Sequence, residues 1–242
     1  LKVAERVAMN TAIIVAAGEG KRAGGETRKQ FREIAGAPII IHTLRRFEAC
    51  ASIARVALVL PAAEAAGFHE TLARYGLRKV TGIVVGGASR MESVWRGLQA
   101  IEAGPTSIIA IHDGVRPLVA PEEIDATVRA AAETGAAILA APIVDTVKEA
   151  DDARAIVRTV ERTHLYRALT PQCFRFNLLR RAYESARRAS VEATDDSSLV
   201  ERLGIRVHIV EGSARNIKIT HPDDFIIAAA LLHDAIFVRS GA

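Results

Sequence analysis

The sequence predicts an α/β fold, in which a Rossmann-like, mostly parallel β-sheet is flanked by helices and carries a protruding β-arm. Short apolar runs rich in Ile and Val alternate with amphipathic segments, which is typical of βαβ units whose sheet is covered on both faces. Glycine-rich and charged motifs directly follow several of these runs, where ligands bind in such sheets. From Pro142 the alternation gives way to two segments with period-2 patterning, which indicates the arm.

Each predicted strand is an apolar run bounded by turn-forming or charged residues. The predicted strands are Ala12–Ala16, Arg55–Leu60, Val80–Val85, Ser107–His112, Ala136–Ala141 and Arg206–Val210, with a short one at Asn216–Thr220. The helical pattern of apolar residues predicts Ile39–Ala49, Glu64–Tyr75, Arg90–Ala103, Glu122–Glu133, Asn177–Arg188, Ser197–Leu203 and Asp223–Leu232.

The length of 242 residues suits one large α/β domain, which we place at residues 10–235 with the arm at about 143–166. Residues 1–8 are set apart as an extension. No apolar stretch is long enough to span a bilayer and no signal peptide is recognisable, so a cytoplasmic protein is expected. Cys50 and Cys173 lack metal or redox spacing, which agrees with a reducing compartment.

The net charge of +4 could suggest nucleic acid as a partner. However, the basic residues form no run, and aromatic residues, at 5%, are too sparse for a base-stacking platform. We therefore predict no nucleic acid and no membrane partner, and instead a pocket for anionic small molecules.

The first motif joins the strand at Ala12–Ala16 to a small-residue turn and a group of cations. Ala17, Gly18 and Gly20 allow backbone N–H groups to approach a ligand closely. Lys21, Arg22 and Lys29, the last followed by Gln30, bring positive charge to the same place. This combination suits a polyphosphate.

Three interpretations of this turn compete. A Walker A loop fails, because Val15 stands in place of the first glycine and Arg22 in place of the Ser or Thr that would hold magnesium. A dinucleotide loop remains open, since Gly18–Ala23 fits G-x-G-x-x-[GA], although no ribose-binding acid follows the next strand. The third interpretation is a βα turn without function whose lysines are solvated. The Lys29-Gln30 pair that follows favours a functional site over this interpretation.

Two further motifs follow later strands. In Gly86–Ser93, Ser89 and Glu92 have the spacing of a capping box, which predicts the start of a helix. Gly86 and Gly87 precede it, and together with the helix N-terminus they could lie under a base or phosphate. In His112–Pro117, the carboxylate of Asp113 ends a buried strand with Arg116 close by. A charge there must be paired or ligated, so an ion pair, a ligand contact or Mg²⁺ binding are all open.

The predicted arm consists of Asp145–Lys148 and Ile156–Glu161, joined by Asp151–Arg154. A two-stranded arm cannot bury its apolar face alone. We therefore expect a homodimer formed through the arm.

Taken in order, the motifs resemble those of the nucleotidyltransferases that couple a nucleoside triphosphate to a sugar phosphate. The likeness is strongest to the 2-C-methyl-D-erythritol 4-phosphate cytidylyltransferase family of non-mevalonate isoprenoid biosynthesis and extends from about Asn10 to His233. The matching motifs are A-A-G-x-G-x-R with K-Q (16–22, 29–30), G-G-x-x-R-x-x-S (86–93), H-D-x-x-R-P (112–117), D-T-x-K (145–148), A-L-T-P-Q (168–172), T-D-D (194–196) and N-I-K-x-T (216–220). The first motif alone is weak, whereas the full set in order is specific.

The resemblance implies a role for particular residues, with CTP and a sugar-alcohol phosphate as substrates and Mg²⁺ as the cofactor. The implied nucleotide-binding residues are Ala16, Ala17, Gly18, Gly20, Gly87 and Ser93. Arg22, Lys29, Arg162 and Lys218 are implied as catalytic, and Asp113, Arg116, Thr146, Thr170 and Thr194 as substrate-binding, with Asp113 or the triphosphate alone holding the metal. Thr146 and Arg162 would come from the partner subunit.

One departure concerns Ala88, where members of this family often carry an acidic residue. Cytosine selectivity would then depend more on backbone groups. The competing hypotheses are a cytidylyltransferase for ribitol 5-phosphate, a dinucleotide-binding oxidoreductase and a non-catalytic nucleotide-binding regulator.

Overall fold

The computed structural model describes residues 9–19 and 27–240, with side chains as far as His233. Residues 1–8, and Gly20 and Arg22 of the first motif, lie outside the described residues. No helix in the described ranges is both long enough and apolar enough to cross a membrane.

The described strands, numbered in chain order, belong to one large sheet and two small hairpins. They are β1 Thr11–Val15, β2 Glu33–Ile34, β3 Ala37–Pro38, β4 Arg55–Leu60, β5 Val80–Val85, β6 Ile108–Asp113, β7 Ala136–Pro142, β8 Val147–Ala150, β9 Ile156–Val160, β10 Tyr166–Arg175 and β11 His208–Glu211. The large sheet has the order β11-β7-β10-β6-β1-β4-β5, and only β10 runs antiparallel to its neighbours. The predicted mostly parallel α/β sheet is therefore confirmed.

Helices cover both faces of this sheet. They are α1 Ile39–Ala49, α2 Ala62–Ala65, α3 Phe68–Arg74, α4 Arg90–Ala100, α5 Pro121–Thr134, α6 Phe176–Arg188, α7 Asp196–Glu201 and α8 Pro222–Ser240. The predicted helix Glu64–Tyr75 is in fact two helices, α2 and α3, which Gly67 separates.

Two hydrophobic cores explain why the strands are apolar on both sides. Ile14 of β1 belongs to the same buried cluster as Phe47 of α1, whereas Ile13 belongs to the cluster with Leu98 of α4. All four side chains are at most 3% exposed. Burying each of them contributes roughly 1.5–3 kcal/mol, so the parallel strands are held from both faces.

The register of the parallel strands brings their carboxyl ends to one edge of the sheet. Val15, the last residue of β1, lies opposite Asp113, the last residue of β6. On the other side of β1, β4 and β5 end together at Leu60 and Val85. The loops that follow these strands therefore share one edge, as the motifs predicted.

Strand β10 is the element that the sequence analysis missed. It inserts between β6 and β7, and its pairing with β7 shifts between Ala168 and Gln172, around a cis Thr170–Pro171 peptide bond. Proline has no N–H group for a ladder and normally argues against a central strand. The segment was therefore recognised only as a motif.

The predicted strand Asn216–Thr220 is wrong. This segment makes no ladder, and instead crosses the end of the sheet with Ile219 N–H donating to the Val115 carbonyl at 3.0 Å. A side chain satisfies one of its carbonyls, since the Arg116 guanidinium donates to the Asn216 carbonyl at 2.8 Å.

Within the segment predicted as the arm, β8 and β9 pair as an antiparallel hairpin that forms its own small sheet. Apolar side chains remain uncovered in and beside it. Ile156 is 66% exposed, Val157 61% and Val144 74%. In the described chain, the hairpin therefore has an apolar surface that intrachain packing does not bury.

Candidate active site

A cleft of about 640 Å³ opens at the carboxyl edge of the parallel strands. Its wall is formed by the turn after β1, the 3₁₀ turn at Lys29–Phe31, the turn after β5, the end of β6 and the segment that carries Lys218. The sequence-predicted residues that line it are Ala16, Ala17, Gly18, Lys29, Gly87, Ser93, Asp113 and Lys218.

The turn after β5 forms a tightly packed part of the cleft. A side chain at Gly86 would lie within 2.2 Å of the Ala17 Cβ atom, so only glycine lets the two turns approach this closely. The Ser93 hydroxyl accepts a hydrogen bond from Gly87 N–H at 3.0 Å and donates to the Ser89 carbonyl at 2.9 Å. Ser89 in turn caps α4, because its side chain accepts from Glu92 N–H at 3.1 Å.

Gln30 holds the turn after β1 in place. Its side-chain amide donates to the carbonyl of Ala16 at 2.6 Å and to that of Gly18 at 2.9 Å, and Gln30 is only 1% exposed. In the sequence, Gln30 is recognisable only as part of the K-Q motif, and no role follows from it. The structure makes it the residue that fixes the curvature of this turn.

Asp113 carries the negative charge of the cleft and is surrounded by cations. Its Oδ1 atom lies 3.1 Å from Arg90 Nε, and its Oδ2 atom lies 2.9 Å from Lys218 Nζ and 3.5 Å from Arg116 Nε. Burial alone would raise the pKa of Asp113, but Arg90, Lys218 and Arg116 outweigh it and hold the pKa well below its ordinary value. The carboxylate is therefore ionised at neutral pH.

Beneath Asp113, His112 and Thr170 form a buried hydrogen-bonded chain. His112 Nε2 lies 3.2 Å from the Arg116 carbonyl, which can only accept, so Nε2 carries the proton. The Thr170 hydroxyl then donates to His112 Nδ1 at 2.9 Å and accepts from Asp113 N–H at 3.3 Å. Thr170 therefore supports the backbone of Asp113 from below.

This chain predicts a pH dependence of stability. Burial lowers the pKa of His112 from 6.5 to about 4, so the folded protein keeps the imidazole neutral while the unfolded chain protonates it. Stability from His112 is present above pH 6.5 and is lost as the pH falls towards 4, by about 3 kcal/mol. Denaturant unfolding from pH 7 to 4 should show a steeper loss for the wild type than for His112→Gln. His42 is present in both proteins, as is every other residue except the one substituted, so the difference between the two curves reports on His112. Parallel curves would contradict this prediction.

Lys29 joins the two halves of the cleft wall. Its ammonium group donates to the Ile219 carbonyl at 2.9 Å, although the two residues are 190 positions apart in sequence. A contact within the protein therefore holds the lysine side chain at the cleft.

Other predicted residues lie away from the cleft surface. Arg116 and Thr170 are buried behind it, at 9% and 5% exposure. Thr194 is exposed in the turn before α7, and Thr146 and Arg162 are exposed next to the hairpin. Within the described single chain, these last three residues do not line the cleft.

Arg90 and Asp196 are functional candidates that the sequence analysis did not select. Arg90 lines the cleft and its Nη2 atom lies 2.8 Å from Oδ2 of the fully buried Asp196. Burial opposes the charge of Arg90, but Asp196 and Asp113 raise its pKa above the ordinary value. Both residues belong to matched motifs, Arg90 to G-G-x-x-R-x-x-S and Asp196 to T-D-D. Their place in these motifs is the signal that could have identified them from the sequence.

The dinucleotide interpretation is not supported by the elements that follow the turn. A dinucleotide site places the pyrophosphate at the N-terminus of a helix opened by the glycines. In the described chain after residue 26, a 3₁₀ turn and the β2–β3 hairpin come first, and α1 starts only at Ile39.

Comparisons with known proteins agree on one family. The family model described as "IspD: 2-C-methyl-D-erythritol 4-phosphate cytidylyltransferase" matches residues 10–234. A protein of that name from Pelotomaculum thermopropionicum is 46% identical over 222 residues, which cover 91% of this chain and 93% of the relative. Another from Bacillus velezensis is 44% identical over 221 residues, covering 91% and 94%.

Solved structures show the same likeness. The 4-diphosphocytidyl-2C-methyl-D-erythritol synthase of Anaerococcus prevotii superposes with a TM-score of 0.82 at 31% identity, covering 93% of this chain and 96% of that one. The 2-C-methyl-D-erythritol 4-phosphate cytidylyltransferase of Thermus thermophilus gives a TM-score of 0.75 at 34% identity, covering 93% and 99%.

Proposed function

Because the chain belongs to the 2-C-methyl-D-erythritol 4-phosphate cytidylyltransferase family, we propose that it joins CTP and 2-C-methyl-D-erythritol 4-phosphate. The products are 4-diphosphocytidyl-2-C-methyl-D-erythritol and pyrophosphate, within isoprenoid biosynthesis. The observation that carries this proposal is the match over residues 10–234, in which the motifs at 16–22 with 29–30, 86–93, 112–117 and 216–220 contribute residues to one cationic cleft.

The cleft suits the charge problem of this reaction. A phosphate oxygen of the sugar phosphate attacks the α-phosphorus of CTP, and the bond to the β-phosphate oxygen breaks as pyrophosphate leaves. The nucleophile is already ionised near neutral pH, so no general base is required. What is needed is positive charge that brings two polyanions together and stabilises the transition state.

We assign these roles to residues around the cleft. The small-residue turns that contain Ala16–Gly18 and Gly87 form the seat for the cytosine base, with Ser93 supporting Gly87. Lys29, together with Arg22 from outside the described residues, contacts the triphosphate. Lys218 approaches the attacking phosphate from the other side of Asp113, where it already lies 2.9 Å from the carboxylate.

Mg²⁺ is proposed as the cofactor, carried chiefly by the triphosphate. In the described ranges, no three His, Cys, Asp or Glu side chains are grouped closely enough to hold a metal. Both oxygens of Asp113 face cations, which fits a carboxylate that adds at most one ligand. The bound ion would neutralise charge on the phosphates.

We further propose that the enzyme is a homodimer whose hairpins exchange between subunits. The exposed apolar residues Val144, Ile156 and Val157 need a covering surface. Thr146 and Arg162 lie next to the hairpin strands and away from their own cleft, so they are available to a partner's sugar-phosphate site.

A cytoplasmic location is proposed as well. The buried thiols Cys50 and Cys173 suit a reducing cytoplasm.

A pyrophosphate-release assay tests the function directly. Release from CTP should require Mg²⁺ and 2-C-methyl-D-erythritol 4-phosphate. Stimulation by ribitol 5-phosphate instead would identify the runner-up cytidylyltransferase. Nucleotide binding without turnover with either substrate would favour a regulator, and hydride transfer with a nicotinamide cofactor would identify an oxidoreductase.

Nucleotide choice gives a second test. The small-residue seat should fit a pyrimidine and exclude the larger purines, so CTP should strongly outcompete ATP and GTP. Ala88 offers no acid for the cytosine amine, and its N–H already donates to Glu92 at 2.9 Å. A buried backbone acceptor that meets the amine should favour CTP over UTP by about 1–3 kcal/mol in competition kinetics. Equal use of ATP and CTP would refute the assignment.

A further inference from the structure

Arg90 joins two carboxylates from distant parts of the chain. It is the first residue of α4, directly after the turn that contains Gly86 and Gly87. Its Nε atom lies 3.1 Å from Asp113 Oδ1, while its Nη2 atom lies 2.8 Å from Asp196 Oδ2. One planar guanidinium therefore spans both groups with different nitrogen atoms, which a lysine ammonium cannot do.

Asp196 is built into the fold on its other sides. It is fully buried, and the Tyr183 hydroxyl donates to its Oδ1 atom. Gln172 of β10 accepts from the backbone N–H of Asp196 at 3.0 Å and donates to Asp195 at 3.0 Å. A buried carboxylate with these contacts is a fixed anchor, and it holds Arg90 in one orientation.

The pair stands between the two proposed halves of the site. On one side, Arg90 follows the turn assigned to the cytosine base. On the other side, Asp196 lies two residues after Thr194, which the family resemblance assigns to the sugar phosphate. Arg90 also contacts one oxygen of Asp113, and Lys218 holds the other.

We propose that Arg90 is a positioning residue that Asp196 holds in place, and that the pair aligns the two substrates for the attack at the α-phosphorus. This inference rests on the proposed function. Arg90 acts through Asp113 and through the turn before α7. Because misplacement of a reacting group by about 1 Å can cost roughly 10²-fold in rate, the effect of losing this pair should appear in kcat.

The test uses Arg90→Lys, Asp196→Asn and the double variant, assayed as full-length protein with CTP, Mg²⁺ and 2-C-methyl-D-erythritol 4-phosphate. Each single variant should lower kcat by about 10- to 100-fold and change KM for either substrate by less than about threefold. The double variant should lose no more than the worse single variant, because both substitutions break the same linkage.

Val128→Ala provides the control for stability. Val128 is a buried residue of α5 that does not line the cleft, so its truncation lowers stability but should leave kcat unchanged. Arg90 is 27% exposed in its side chain, so Arg90→Lys should fold even if Asp196→Asn does not.

Two results would overturn the inference: a kcat within twofold of wild type for either single variant, Arg90→Lys included, or losses that multiply in the double variant. If instead the wild type releases no pyrophosphate with these substrates, the proposed function itself fails. The two failures are therefore distinguishable.

Discussion

Replacing Lys29 by alanine is expected to lower kcat/KM for cytidylyl transfer by roughly two to four orders of magnitude. This is about the cost of losing one preorganised charge contact to a transition state. The ammonium group lies in the cleft wall with its position set by the Ile219 carbonyl, 2.9 Å away. Steady-state kinetics with both substrates varied would measure the loss.

Lys79→Ala is the matched control. Lys79 also directs its ammonium group to backbone carbonyls, those of Phe47 at 3.2 Å and of Cys50, but it does not line the cleft. It should keep wild-type kcat/KM. Near-normal turnover by Lys29→Ala would remove this lysine from the mechanism.

Mixing two inactive variants is expected to restore activity if the hairpins exchange between subunits. Lys29→Ala damages the nucleotide side of a subunit's own site, and Arg162→Ala damages the residue supplied to its partner's site. In the heterodimer, one site then carries both lesions and the other carries none. The isolated heterodimer should therefore reach about half of the wild-type activity per dimer, because activity depends on assembly.

The experiment requires dissociation and reassociation, with heterodimer formation confirmed by differently tagged subunits. A random mixture of equal amounts should give about a quarter of wild-type activity, since half of the dimers are heterodimers. If Lys29 and Arg162 act within one chain, every site carries a lesion and mixing restores nothing. No recovery in a verified heterodimer would rule out the exchange.

The sheet and the position of the cleft were predictable from sequence because the relevant signals are local. The apolar run at 12–16 and the capping residue Ser89 each act within a few positions of the chain. Parallel strands then bring the following turns to one edge, whatever the distance between them in sequence. That is why Gly18, Gly87 and Asp113 meet as expected.

Strand β10 was missed for the opposite reason. Pro171 is a local signal against a central strand, yet the flanking residues Gln172 and Ala168 pair with β7 on either side of it. The gain from packing Leu169 and Phe174 into the cores exceeds that local preference. The segment Asn216–Thr220 shows the reverse error, because an apolar alternating pattern found no neighbouring strand to pair with.

The sequence by itself determined the fold class, the family and the edge of the sheet at which the cleft forms, because apolar periodicity and short motifs act over a few residues. The tertiary structure decided which side chains meet. Arg90 reaches Asp196 across 106 positions, and Lys29 reaches Ile219 across 190. Such contacts depend on how helices and loops pack above the sheet, and no spacing within either segment specifies that packing.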